Sequence, residues 1–105
     1  MSAFEDREKG FERKFVTDQE VEFRAQSRAN RMLGEWAGRK MGLENVEDYV
    51  RAVVRSELGV GGEEDVVRKV VQDLAGAGLV VRESEVRSKL DEFLAVAREH
   101  VKAGE

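Results

Sequence analysis

Arg24, Arg28 and Arg31 stand four and three residues apart, a spacing that puts all three on one face of a helix. A row of guanidiniums can hold phosphate oxygens through charge-assisted hydrogen bonds. Trp36 or Tyr49 could then supply a stacking ring for a nucleotide base, and Arg39 and Lys40 follow two turns on. Against this, exposed charged rows are mostly solvated faces, and Trp36 falls on an apolar stripe that belongs in a core. The glycine-rich stretches "LGVGGEED" and "LAGAGLVV" lack the Gly-Lys-Ser/Thr of a P-loop and the third glycine of a dinucleotide turn. Glu63, Glu64 and Asp65 would also repel phosphate, so both stretches read as loops that end helices. His100 is the only histidine, and there is no cysteine. Disulfides, thiolate metal sites and histidine metal clusters are thereby excluded. Near the end of the last helix an imidazolium is favoured by the helix dipole, and no nucleophile or second base stands in the sequence to make His100 catalytic. The chain reads as a protein with no catalytic residues, no metal site and no required cofactor.

Four segments of helical spacing must position these groups. In the first, Val21, Ala25, Ala29, Met32, Leu33, Trp36 and Ala37 recur at three- and four-residue steps, the signature of an amphipathic helix. Thr17 with Glu20 forms a capping box at its start, and Val16 with Val21 a hydrophobic staple. Gly42 followed by Leu43 predicts a Schellman end. Gly34 and Gly38, four apart, permit a close helix approach. A second helix starts after the N-cap Asn45 and carries Val46, Tyr49, Val50, Val53, Val54 and Leu58, with Gly59 ending it. The third follows "GGEED", whose acids suit the positive end of the helix dipole, and carries Val66, Val67, Val70, Val71 and Leu74. The fourth starts near Ser84 with Val86, Leu90, Phe93, Leu94, Ala97 and Val101. The valines fall in pairs three or four apart and do not alternate, so they belong to helices and not strands. Short connections between four such helices predict an all-α fold, an antiparallel four-helix bundle.

The first fifteen residues lie outside this pattern. "FEDREKGFERKF" places Phe4, Phe11 and Phe15 among four acids and four bases. On a helix the three rings fall within about 40° of one another. Glu5 and Lys9 make a favourable i,i+4 pair, whereas Gly10 costs about 1 kcal/mol of helix propensity. A short helix of this kind is marginal alone in water. The expectation is a mobile N-terminal arm, residues 1–16, ahead of a bundle over 17–105. Its aromatic stripe packs either on the bundle itself or in a partner's groove.

The composition agrees. With 105 residues, 41% hydrophobic and 38% charged, no proline and a net charge of −4, the chain suits one soluble helical domain. The acidic balance argues against a nucleic-acid binder, since phosphate backbones call for cationic patches. The start "MSAFEDREKG" has no apolar core of a secretory signal, and no apolar run approaches the roughly 20 residues of a membrane span. A soluble intracellular protein is expected.

The opening "MSAFEDREKGFERKF", and after it "RANRMLGEWAGRKMGL", "EEDVVRKVVQDL" and "LDEFLAVAREHVKAGE", resemble the ζ subunit family, regulators of the F-type ATP synthase in α-proteobacteria. The resemblance runs in order over essentially the whole chain. It implies a four-helix bundle with an N-terminal arm that enters the catalytic head of the synthase near an α/β/γ interface and blocks rotation in the hydrolytic direction. It implies that Phe4, Glu5, Asp6, Arg7, Glu8, Lys9, Gly10, Phe11, Arg13 and Phe15 belong to that inhibitory arm. A cytoplasmic location follows, peripheral to the membrane through the synthase. The resemblance also implies ADP or ATP as a regulatory ligand on the bundle, without assigning its pocket. Arg24, Arg28 and Arg31 are the candidates from spacing alone. The alternative is a small helical interaction protein that senses adenine nucleotides and whose arm does not inhibit.

Overall fold

The computed structural model describes residues 18–104 in full and, for residues 2–17, only their place in the first helix. Four helices follow one another: α1 (Ser2–Lys40), α2 (Val46–Ser56), α3 (Glu63–Gly76) and α4 (Glu83–Lys102). No strand occurs among the described residues, and no helix there is long and apolar enough to cross a membrane. The side chains of the predicted cap and staple at Val16 and Thr17 lie outside the described residues.

α1 is the axis of the bundle. Its most extensive contacts run along α4 and α2, with lesser ones to α3. The reason is its inner seam. Val21, Ala25, Ala29, Leu33 and Ala37 are all buried at four-residue steps. Small side chains along that seam let the neighbouring helices approach closely. The valines predicted as helical core meet them: Val53 from α2, Val66, Val67, Val70 and Leu74 from α3, and Val86, Leu90 and Ala97 from α4 form one cluster with Ala25, Ala29, Leu33 and Ala37 of the seam. Met32, Trp36, Tyr49, Phe93 and Leu94 close its margin, partly buried.

The α1–α2 contact is tightest at the two glycines. A Cβ built on Gly34 would lie 3.1 Å from the Val50 Cα, and one on Gly38 would lie 3.2 Å from Val46 Cγ1. Together with a hydrogen bond from Asn30 Nδ2 to Glu57 Oε2 at 2.7 Å, these contacts run in opposite sequence directions, so α1 and α2 are antiparallel. The two glycines differ in what opposes them. At Gly34 the obstacle is backbone, which cannot rotate away. At Gly38 it is the tip of a side chain. Gly34→Ala is therefore expected to lower stability by about 1–2 kcal/mol, overpacking partly offset by better helix propensity. Gly38→Ala is expected to be neutral or stabilising by a few tenths of a kcal/mol on the same grounds. Thermal melts of the two variants beside the parent check the difference.

The helix ends follow local rules. Gly42 has φ +71°, and Leu43 N–H reaches Gly38 O at 3.1 Å while Gly42 N–H reaches Arg39 O at 3.0 Å. That is the Schellman pair predicted from Gly42 and Leu43. The same arrangement closes α3, where Leu79 N–H bonds to Leu74 O and Gly78 N–H to Ala75 O. Asn45 caps α2 by accepting from Asp48 N–H at 3.1 Å. α2 ends at Ser56, three residues before Gly59. The turn after it wraps the Asp65 carboxylate, which accepts from Gly61 N–H at 3.0 Å. α4 begins at Glu83, one residue before the predicted start.

Candidate functional site

Arg24, Arg28 and Arg31 share one side of α1 and line one cleft, as their spacing predicts. Phe23, Ser27, Met32 and Glu35 of the same helix complete that wall, and His100, Val101 and Gly104 from the end of α4 bring the C-terminal part of the chain to it. The guanidiniums are not idle there. Arg24 lies 3.7 Å from Glu20 and Arg31 3.7 Å from Glu47 of α2. Arg28 is also engaged. The two measured pairs are well exposed, with side-chain exposures between 54% and 69%, so water screens them and they hold weakly. An anion could displace them. His100 lines the cleft, and its Nδ1 is buried with no hydrogen-bond partner among the described residues.

The two aromatic rings considered for base stacking stand elsewhere. Trp36 packs against the core, with Lys40 Nζ 5.5 Å from its ring centre. Tyr49 donates its hydroxyl to Asp73 Oδ2 at 2.8 Å, tying α2 to α3. Burial and the Asp73 carboxylate push the phenol pKa far up, so it stays neutral and structural. Lys69 bonds the same carboxylate at 3.1 Å. Neither ring lines the arginine cleft. Arg39 and Lys40, at the end of α1, likewise stand apart from it.

Two bidentate pairs fix α4. Arg98 Nε lies 2.7 Å from Glu22 Oε1, and its Nη2 donates to Glu22 Oε2 at 3.1 Å. Arg87 donates to both oxygens of Glu64 at the start of α3. The facing guanidinium holds the carboxyls of Glu22 and Glu64 below the usual carboxylate range through these hydrogen bonds.

A second groove runs between α1 and α2, past Phe23, Ser27 and Arg31 to Val50, Val54 and Leu58. Phe23 is 79% exposed and Leu58 85% exposed. The sequence pattern passed over Phe23 because it stands off the Val21–Ala25–Ala29 seam. That offset was the available signal: an aromatic residue on the polar side of an amphipathic helix has no core to enter. Leu58, predicted as part of the α2 stripe, lies just beyond the end of that helix and faces outward.

The side chains of Phe4, Glu5, Asp6, Arg7, Glu8, Lys9, Gly10, Phe11, Arg13 and Phe15 lie outside the described residues. Among the described residues no group of three or more His, Cys, Asp or Glu could hold a metal. Comparison with curated proteins returns no match. Residues 1–100 match the family described as ATPase inhibitor subunit zeta.

Proposed function

The chain belongs to the ATPase inhibitor subunit zeta family, a family of regulatory rather than catalytic proteins, and from that premise we propose that its arm, residues 1–16, does the inhibiting. In this reading the arm enters the catalytic head of an F-type ATP synthase at an α/β/γ interface. There it blocks ATP hydrolysis, and the bundle over 17–105 holds it in place. The protein then sits on the cytoplasmic side of the membrane through the synthase. The observation that carries the reading is the extent of the family match, which takes in the arm from residue 1. The aromatic stripe of Phe4, Phe11 and Phe15 supports it physically. Each ring contributes roughly 1.5–3 kcal/mol on full burial, while ordering a backbone costs about 1–2 kcal/mol per residue. Three rings alone do not fix fifteen residues. The charged flanks, Glu5, Asp6, Arg7, Glu8, Lys9 and Arg13, must pair with the partner, and Gly10 lets its backbone come close. A moderate-affinity, reversible plug results.

The test is ATP hydrolysis by purified synthase with and without this protein, intact and lacking residues 1–16. The intact chain is expected to inhibit and the truncated chain to fail. Their melting temperatures should differ by only a few degrees, because four helices close a buried core from Val21 onward among the described residues. Equal inhibition by both forms would place the activity in the bundle.

A second reading concerns ADP or ATP. Its support is that Arg24, Arg28 and Arg31 line one cleft with His100. Binding there would be weak and salt-sensitive, since Glu20 and Glu47 compete for Arg24 and Arg31 and Arg28 is engaged as well. Chemical-shift mapping with ADP should move amides of Arg24–Arg31 and of the α4 end. Shifts confined to α3 would rule the cleft out. A nucleotide sensor whose arm is inert would show these shifts and no inhibition.

A further inference from the structure

We infer that the end of the α1–α2 face nearest the arm is a second contact with the same ATPase head, seating the bundle at the mouth of the crevice that takes the arm. The inference rests on the arm-insertion reading.

The geometry comes from α1 itself. One helix, Ser2–Lys40, carries both the arm and Phe23. Phe15 and Phe23 are eight residues apart, about 12 Å along a helix. A partner that encloses the helix as far as Phe15 therefore has its outer surface within reach of Phe23.

The apolar exposure lies at the matching end of the bundle. Asn30 meets Glu57, while Gly34 and Gly38 meet Val50 and Val46. α2 thus ends on the side from which α1 enters. Leu58 follows at once and lines one groove with Phe23 and Val54. Val60, in the next turn, is fully exposed. Phe23, Leu58 and Val60 are three of the largest apolar exposures among the described residues. The joint exposure of Phe23 and Leu58 on one groove marks an interaction surface rather than ordinary scatter.

Charge indicates the partner's chemistry. The groove's own carboxylates are engaged within the fold, Glu47 with Arg31 at 3.7 Å and Glu57 with Asn30 at 2.7 Å. Arg51 is paired with Asp48 at 3.2 Å, and Arg55 stands exposed on the rim. The complementary surface is an apolar ridge on the ATPase head with a carboxylate placed to meet Arg55.

The test uses full-length variants: Phe23→Ser with Leu58→Ser, Arg55→Glu, and Phe11→Ala as the control for the arm. Each is titrated into ATP hydrolysis by the cognate synthase, and its binding to the immobilised head is timed. The double serine variant is expected to keep the parent's melting temperature and its maximal inhibition. It should require about tenfold more protein for half-inhibition and dissociate faster, since two exposed apolar side chains lose their cover. Arg55→Glu should slow association, most at low salt. A double variant that binds and inhibits like the parent, while Phe11→Ala is weakened, overturns the inference and leaves the arm reading standing. A double variant that is weakened while Phe11→Ala is not supports the bundle contact and removes the arm reading. A parent that does not bind the head overturns both.

Discussion

Replacing Phe11 with alanine is expected to raise the concentration needed for half-maximal inhibition of ATP hydrolysis by tenfold or more. Phe11 is the middle ring of the stripe, with Phe4 seven residues before it and Phe15 four after. The middle of three aligned rings is the one most completely enclosed when the stripe is covered. Truncating a buried phenylalanine costs about 3–5 kcal/mol in a well-packed site. An interface ordered only on binding packs less tightly, so a loss nearer 1.4–3 kcal/mol is expected, and 1.4 kcal/mol already corresponds to tenfold. Glu12→Ala, off the stripe, should change the titration far less. Circular-dichroism melts of both variants should overlay the parent's, because four helices close a core from Val21 onward among the described residues. A Phe11→Ala protein that inhibits as well as an inhibitory parent would mean that the plug is not built on this stripe.

The second large effect is on stability. Leu33→Ala should cost about 3–4 kcal/mol. Leu33 is fully buried in the alanine-rich seam of α1, and its cluster is mostly valines and alanines, with Leu74 and Leu90, held by four helices. Stiff β-branched side chains cannot fold inward to fill the space. The full cavity penalty therefore adds to the transfer loss. For a domain of this size each kcal/mol shifts the melting temperature by about 4–8 °C, so a fall of 12 °C or more is expected by calorimetry. The same substitution at Leu58, which is 85% exposed, should leave the melt almost unchanged. A Leu33→Ala melt within 4 °C of the parent would show that the seam collapses around the gap.

These contrasts show which parts of the molecule the amino-acid order makes legible. The Schellman end at Gly42 and the Asn45 cap depend on residues two to five apart in sequence, and both were predictable from local chemistry. The spacing of the valines of α2 and α3 predicts helices, although valine favours strands. Their paired recurrence outweighs the propensity because the buried face decides. The Asn30–Glu57 bond was not legible. It joins residues 27 apart, and nothing local marks Asn30 as buried. Gly34 and Gly38 pointed to close packing without naming α2 as the partner. At the candidate site, spacing brought Arg24, Arg28 and Arg31 onto one side of α1. The arrival of His100 beside them depends on the tertiary fold. So does the isolation of Trp36 and Tyr49 from that cleft: one is taken by the core and the other by Asp73.

The alanine seam of α1 has a consequence for how the molecule breathes. Because α1 packs on α2, α3 and α4, its middle turns cannot open without breaking contacts with all three other helices. The amides from about Val21 to Ala37 should therefore exchange with solvent only through global unfolding, at the rate set by the whole domain's stability. α3, the most lightly packed of the four helices, can open at lower free energy. A protease or quality-control factor would find its first foothold at α3 and the exposed Leu58–Val60 turn that leads into it, and the α1 axis would be the last part of the domain to yield.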